Sequence, residues 1–184
     1  MRSRQTNKPD KYIVSECVKV LRDELPYNLH IFVNSVEFIA KVIDTLKLAP
    51  EAVKVVCSTS GESRQENQRK LGNAYPIGQP SDPAKKINFY TSTCFEGCDI
   101  FDPDGVTFIV SDGRKAHTLL DISTLFTQIC GRIRDSRYKA QIVHVYSTTK
   151  YSKAVTLDEF VAATQRTLAD AESYAAEINS LSEA

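Results

Sequence analysis

Short apolar runs alternate along the chain with segments whose apolar residues recur at helical spacing. Leu29 to Ser35 and Val53 to Ser58 are two such runs, and helical segments follow them from Val36 to Leu48 and from Glu62 to Leu71. Apolar runs without strict alternation are typical of strands that are buried on both faces of a sheet. The pattern therefore predicts parallel strands that are connected by helices.

The same pattern continues to the end of the sequence. It predicts further strands over Ile87 to Thr91, Thr107 to Ser111 and Gln141 to Tyr146, and further helices over Tyr12 to Leu25, Asp121 to Arg134 and Thr156 to Leu181. Together these elements predict an α/β fold in three layers, with a mainly parallel central sheet and a long C-terminal helix. We divide the chain into an N-terminal helix and lead-in (1–28), the α/β domain (29–150) and a C-terminal helical extension (151–184).

Composition narrows the class of protein. The chain has 184 residues, of which 42% are apolar and 25% are charged. These values match a globular domain with its own core, and they exclude disordered, collagen-like and coiled-coil chains. No apolar run approaches the ~20 residues that a membrane span requires, and residues 1–10 lack the apolar core of a signal peptide. We therefore expect a cytoplasmic protein with no membrane partner.

Charge and cysteine content restrict the chemistry. The 23 basic and 23 acidic residues cancel, so any binding of nucleic acid must depend on local contacts and not on a basic surface. The five cysteines form no CxxC pair, and Cys94 and Cys98 have no further ligand residues nearby in the sequence. We expect reduced, structural thiols and no metal site.

Three sequence motifs lie where the predicted strands and helices end. They are IFVNS at 31–35, TSTCFEGCD at 91–99 and QICGRIR at 128–134. In order and spacing they resemble the fourth, fifth and sixth motifs of the second RecA-like domain of superfamily 2 helicases and translocases. Since ligands dock beyond the carboxyl ends of parallel strands, these positions also suit a binding site.

The resemblance implies a role for each matched residue. Arg132 and Arg134 would act at the γ-phosphate of ATP, where a guanidinium stabilises the charge of the transition state. Gly97 would allow a close approach of the nucleotide, Asp99 would accept a hydrogen bond from its ribose, and Gln128 would also contact it. Two arginines two residues apart on a helix point in different directions, so both can reach one nucleotide only where the helix ends.

The resemblance also implies contacts with nucleic acid. Asn34, Ser35, Ser58, Thr59 and Thr91 offer uncharged hydroxyl and amide groups, which position a strand without a strongly basic surface. The fifth and sixth motifs differ from those of DEAD-box RNA helicases, so we expect DNA. The family more often places the second arginine of the sixth motif three residues after the first, a position that Asp135 holds in this sequence. The second arginine is therefore either Arg134 or Arg137.

Half of a complete motor is missing from the sequence. There is no Gly-x4-Gly-Lys-Ser/Thr loop and no DExH or DEAD segment. In the family these parts belong to a preceding RecA-like domain, which would hold most of the ATP and Mg²⁺. We therefore predict the second motor domain of a helicase or translocase, with the first domain of the same parent chain as its partner and no ATPase activity of its own.

Other interpretations remain open for each motif. Asn34 and Ser35 could be a helix N-cap, residues 97–99 a simple turn, and the arginines a solvated helix end. The chain would then be a catalytically inert helicase-like module for nucleic-acid binding or scaffolding. A second alternative is a stand-alone doubly wound domain that binds a small nucleotide.

Overall fold

The computed structural model describes residues 1–120, 122–148 and 156–166, together with residues 169 and 173. The chain divides into two compact units, Met1–Thr149 and Lys150–Ala184. Residues 1–28, which the sequence suggested as a lead-in, belong to the same unit as the strands. In the second unit residues 157–166 are helical, and most of the remainder of the predicted closing helix lies outside the described residues.

A six-stranded sheet, parallel throughout, forms the centre of the first unit. Its order is β1-β6-β5-β2-β4-β3. The strands are β1 (Arg2–Gln5), β2 (Asn28–Phe32), β3 (Val53–Val56), β4 (Ile87–Tyr90), β5 (Gly105–Asp112) and β6 (Ile142–Ser147). The predicted three-layer α/β fold is confirmed, and the architecture is consistent with that of RecA-like domains.

Helices cover both faces of this sheet. They are α1 (Pro9–Leu21), α2 (Val36–Leu46), α3 (Gly61–Leu71) and the short α4 (Thr127–Cys130), which follows a π-helical segment at Ile122–Phe126. Single 3₁₀ turns occur at Pro50–Ala52, Ser92–Cys94 and Ala116–Thr118. None of the helices within the described ranges is long and apolar enough to cross a membrane.

Two apolar cores separate the layers. Alternate residues of the strands, such as Ile31 and Phe108, pack with α1, α2 and α3 on the first face of the sheet. On the second face, Phe32 and Ile109 pack against the segments 94–100 and 126–133. Because the side chains of a strand alternate between faces, the uninterrupted apolar runs of the sequence supply both cores at once.

A buried polar network connects the strands on the second face. His30 lies within the sheet with its side chain fully buried, and its Nε2 is 2.8 Å from Oδ2 of Asp102. On the other side of the ring, Nδ1 is 3.1 Å from the hydroxyl of Tyr90. Asn28 Nδ2 also donates to Asp102, at 3.0 Å. His30 is therefore a core residue whose hydrogen bonds are satisfied within the protein.

Two elements differ from the prediction. Strand β1 was not predicted, because its residues Arg-Ser-Arg-Gln are polar and all four are exposed; pairing with β6 is what defines it as a strand. The helix predicted to reach Arg134 ends at Cys130, so that prediction of its length was wrong. Gly131 and the extended segment after it belong to the candidate site.

Candidate functional site

Two segments that are distant in sequence lie side by side on the second face of the sheet. Ile100 and Ile133 form a parallel bridge, in which Ile100 N donates to Arg132 O at 2.9 Å and Arg134 N donates to Ile100 O at 3.1 Å. Both isoleucines are buried in the second core. Their burial holds the segment TSTCFEGCD (91–99) against the segment QICGRIR (128–134).

The early end of α4 places the side chains of both arginines on the same side of the segment that follows it. Residues 132–134 are extended, so the side chains of Arg132 and Arg134 lie on the side opposite the buried Ile133. Arg134 Nε donates to Asp99 Oδ1 at 2.7 Å. Arg132 donates from Nη1 to Cys98 O at 3.1 Å and from Nε to Gln128 O at 2.9 Å. The structure thus brings Arg134 to the predicted Asp99, and Arg132 to the backbone carbonyl of the adjacent Cys98.

Arg137 is held elsewhere. Its Nη2 lies 2.6 Å from Asp104 Oδ1, and its backbone N donates to Pro103 O at 3.0 Å. Of the two candidates for the second arginine of the motif, Arg134 is therefore the one that contacts Asp99.

Asp99 and Arg134 form an accessible ion pair. Their side chains are 48% and 51% exposed, respectively. A pair this exposed stabilises a protein by only about 0–1 kcal/mol. Either partner can therefore exchange the other for a ligand at small cost. Gln128 is exposed next to this pair, and its backbone carbonyl is the group that contacts Arg132.

Gly97 occupies the turn that precedes Asp99. Its φ is +71°, a left-handed conformation, and no heavy atom of the described structure lies within 4 Å of where a Cβ would be. The space around this turn is open to a ligand, as the sequence suggested, but the backbone conformation by itself also calls for glycine.

A substitution distinguishes these two reasons for a glycine. We expect Gly97→Ala to lower the free energy of unfolding by about 1 kcal/mol, because alanine is strained at positive φ. Gly131→Ala is the control, since its φ is −96° and an added Cβ would meet only ordinary contact at 3.6 Å from Gln128 O. Urea denaturation of both variants measures the difference, and equal midpoints would contradict the conformational argument.

Cys94 and Cys98 connect the arginines to the end of β4. Cys94 N donates to Thr91 O at 3.0 Å, and the Cys98 thiol donates to Cys94 O at 3.1 Å. All five cysteines are free. The Cys94 side chain, as a hydrogen-bond partner of the Cys98 sulfur, lowers the pKa of Cys98; burial opposes this shift, and the charge of Arg132 adds to it. Burial raises the pKa of Cys17 to about 12 and that of Cys57 to about 11.

These differences predict the order of thiol reactivity. Because the thiolate is the reactive form, we expect Cys98 to be alkylated first by iodoacetamide, with a half-maximal rate at a pH below that of an ordinary thiol. Arg132→Ala removes a nearby positive charge and should move that midpoint to higher pH. Mass spectrometry of partly alkylated protein identifies the modified residue. Faster modification of the buried Cys17 or Cys57 would contradict the assignment.

Asn34 joins three of the loops at the carboxyl ends of the strands. Its Nδ2 donates to His117 O at 2.9 Å, and its Oδ1 accepts from Ser92 N at 3.4 Å. Helix α2 follows β2 on the first face, whereas α4 follows the neighbouring strand β5 on the second. The chain therefore leaves these adjacent strands toward opposite faces, which is where α/β sheets form their ligand crevices.

The other residues predicted to contact nucleic acid differ in exposure. Ser35 is buried and its Oγ accepts from Phe38 N at 3.2 Å, so it is the N-cap of α2. Thr91 is also buried, and its backbone N donates to Val56 O at 3.0 Å. Thr59 is exposed, and the half-buried Ser58 has its hydroxyl 3.0 Å from that of Ser60. Of the five, Ser58, Thr59 and Asn34 present polar groups at this edge.

The sequence interpretation missed two features of the site. Cys98 is a neighbour of Arg132: its carbonyl accepts a hydrogen bond from Arg132, and its thiol feels the charge of Arg132. Its position within residues 91–99 was the sequence signal that could have identified it. The backbone carbonyl of His117 contacts Asn34, and no sequence pattern marks a main-chain acceptor. Over the described ranges, no group of three or more His, Cys, Asp or Glu side chains could hold a metal ion.

No family model matches the chain, and neither does any curated protein.

Proposed function

We propose that the chain is the second RecA-like domain of an ATP-dependent helicase or translocase, and that it supplies half of an ATPase site. The observation that carries the proposal is the contact of Arg134 with Asp99, beside Arg132. Thirty-five residues separate Arg134 and Asp99 in sequence, and both are half exposed. The contact brings charged groups of two motifs together at one accessible point, where a ligand could reach both.

The residues present suit the part of a nucleotide that the proposal assigns to them. A guanidinium offers a planar fork of donors that matches phosphate oxygens, and Arg132 and Arg134 present two of these. Asp99 offers a carboxylate to a ribose hydroxyl. The preceding domain would supply Mg²⁺ and the phosphate cradle, which position and polarise the triphosphate. Arg134 would exchange Asp99 for a phosphate when the two domains close.

Contacts with nucleic acid would come from the strand-end loops. Asn34, Ser58 and Thr59 present uncharged polar groups there, and a strand would be positioned through its phosphates. DNA is the expected nucleic acid. Closing and opening of the cleft between the two domains would then move the bound strand.

The proposal predicts that the isolated chain hydrolyses no ATP, because the groups that cradle and activate the triphosphate belong to the other domain. Release of inorganic phosphate, measured with and without single-stranded DNA, tests this. A protein that contains both domains is the positive control. Turnover by the purified chain above the rate in buffer would refute the half-site.

A catalytically inert module is the second candidate, and one observation favours it. Both arginines already have acceptors within the chain: two backbone carbonyls for Arg132 and the Asp99 carboxylate for Arg134. Arginines that serve only to join residues 98–99 to residues 128–134 would look the same. Kinetics of arginine variants separate the two candidates, as described in the Discussion.

A further inference from the structure

A cavity of about 370 Å³ lies at the end of the sheet where β1, β5 and β6 begin. It opens on the first face, beneath α1, whereas the contact between Asp99 and Arg134 belongs to the second face. Its size is in the range of small-molecule sites. Arg2, Arg4, Tyr12, Glu16 and Tyr27 contribute its polar lining.

Two cations flank the cavity from the edge strand. Arg2 and Arg4 lie opposite Val143 and Val145 of β6, two valines whose side chains pack with the first core. Paired residues of neighbouring strands share a face, so both guanidinium groups extend toward α1. Among the described residues, neither arginine side chain takes part in a hydrogen bond or an ion pair. Together they provide a site for a phosphate group.

A carboxylate lies across the cavity from these arginines. The side chain of Glu16 is only 10% exposed, and its Oε1 accepts from Lys19 Nζ at 2.7 Å. Ionised carboxylate oxygens accept more than one hydrogen bond each, so the group keeps acceptor capacity. Burial raises the pKa of Tyr27, and the charges of Glu16 and Arg2 also act on that hydroxyl. The Glu16 carboxylate, the Arg2 guanidinium and the Tyr27 hydroxyl are therefore close together.

Aromatic rings complete the walls. Tyr12 and Tyr27 are half-buried, and Tyr27 is supported by an edge-on contact with Tyr138 at 5.7 Å between ring centroids. Tyrosine rings are common surfaces for nucleobases. A base beside these rings would have Glu16 at its edge and the arginines beyond its sugar.

We propose that this cavity binds a guanine nucleotide. Guanine presents two neighbouring N–H donors, on the ring and on the exocyclic amine, and a carboxylate accepts both at once. Adenine and cytosine place an acceptor beside their amine. Arg2 and Arg4 would contact the phosphate. A free nucleotide and the end of a single strand carry the same groups, and the experiment below distinguishes the two sources.

Titration of the isotope-labelled chain with GMP, followed by NMR, tests the site. We expect GMP to shift the signals of Tyr12 and Tyr27, and to bind about tenfold tighter than IMP, which lacks the exocyclic amine. Glu16→Gln should abolish that preference. Arg4→Ala should weaken GMP about tenfold and leave guanosine, which has no phosphate, unchanged. Equal binding of GMP, IMP and AMP by the wild-type chain would overturn the proposal.

Control variants guard against indirect effects. Arg22→Ala removes an exposed arginine that is paired with Glu24 just after α1, and it should leave GMP binding unchanged. Loss of GMP binding in Arg134→Ala would place the nucleotide on the other face and overturn the assignment. Arg4 is exposed on the edge strand, so its variant remains a valid test even if Glu16→Gln unfolds. A short DNA strand with a terminal guanine identifies the source: tighter binding than GMP supports a strand end, and weaker binding supports a free nucleotide.

Discussion

Replacing Arg134 by alanine should lower nucleic-acid-stimulated ATP hydrolysis by about a thousandfold in a protein that contains both motor domains. The reason is that an arginine at the γ-phosphate stabilises charge that develops only in the transition state. We expect kcat to fall, while the affinity for single-stranded DNA stays within about twofold, because the side chain of Arg134 contacts Asp99 and not the residues assigned to DNA, Asn34, Ser58 and Thr59. Steady-state phosphate release measures kcat, and fluorescence anisotropy measures the affinity for single-stranded DNA.

Arg137→Ala is the matched control for this experiment. It removes a guanidinium three residues away that is paired with Asp104 and not with Asp99. We expect its ATPase rate to remain near that of the wild type. If Arg134→Ala also keeps full nucleic-acid-stimulated turnover, the arginines are structural and the inert module is the better description. If Arg137→Ala alone is inactive, the assignment of the second arginine is wrong.

The largest loss of stability is expected for Asp102→Ala. This change removes the acceptor of hydrogen bonds from His30 Nε2, Asn28 Nδ2 and the backbone N of Asp104. Buried donors left without an acceptor are costly, and we expect the free energy of unfolding to fall by about 3 kcal/mol. Lys86→Ala is the control, because the ion pair of Lys86 with Asp23 is exposed and should contribute under about 1 kcal/mol. Equal urea midpoints would contradict this ranking.

The same network predicts a loss of stability in acid. Burial lowers the pKa of His30, so the folded protein holds the neutral imidazole; this contribution is complete above the unfolded pKa of 6.5 and is lost as the pH falls below it. Burial alone would raise the pKa of Asp102, but hydrogen bonds from His30 and Asn28 bring it below its ordinary value of 3.8. Its contribution is present above that value and is lost at lower pH. Urea midpoints should therefore fall between pH 7 and pH 3. Because Asp102 raises the pKa of His30 against the effect of burial, Asp102→Ala should enlarge the part of the fall that begins below pH 6.5 and remove the part below pH 3.8.

The sequence predicted the layers of the fold because burial on both faces of a sheet leaves continuous apolar runs. Five of the six strands and the first three helices were found in this way. Strand β1 was not, since an exposed edge strand needs no apolar residues and only its partner β6 defines it. The end of α4 was also missed, because Ile129 and Ile133 keep a helical spacing although Ile133 packs from an extended segment.

The candidate site was predictable in its residues but not in its pairing. The motifs of the sequence include Asp99, Arg132 and Arg134, and Arg134 and Arg137 were equivalent by spacing alone. Only the bridge between Ile100 and Ile133 places Arg134 beside Asp99 and leaves Arg137 to Asp104. Likewise, the sequence presented Asn34 as a cap or a contact to nucleic acid, and its bond to a main-chain carbonyl of a distant loop depends on the order of the strands.

The amide of Asn34 has a mechanical consequence. A single side chain holds the segments after β2, β4 and β5, with one hydrogen bond to each of the two distant ones. Pulling on any one of these segments would load the other two, so force applied by a bound polymer would be shared across three strands of the sheet. The three segments would then move together, and not independently, when a polymer is bound to them.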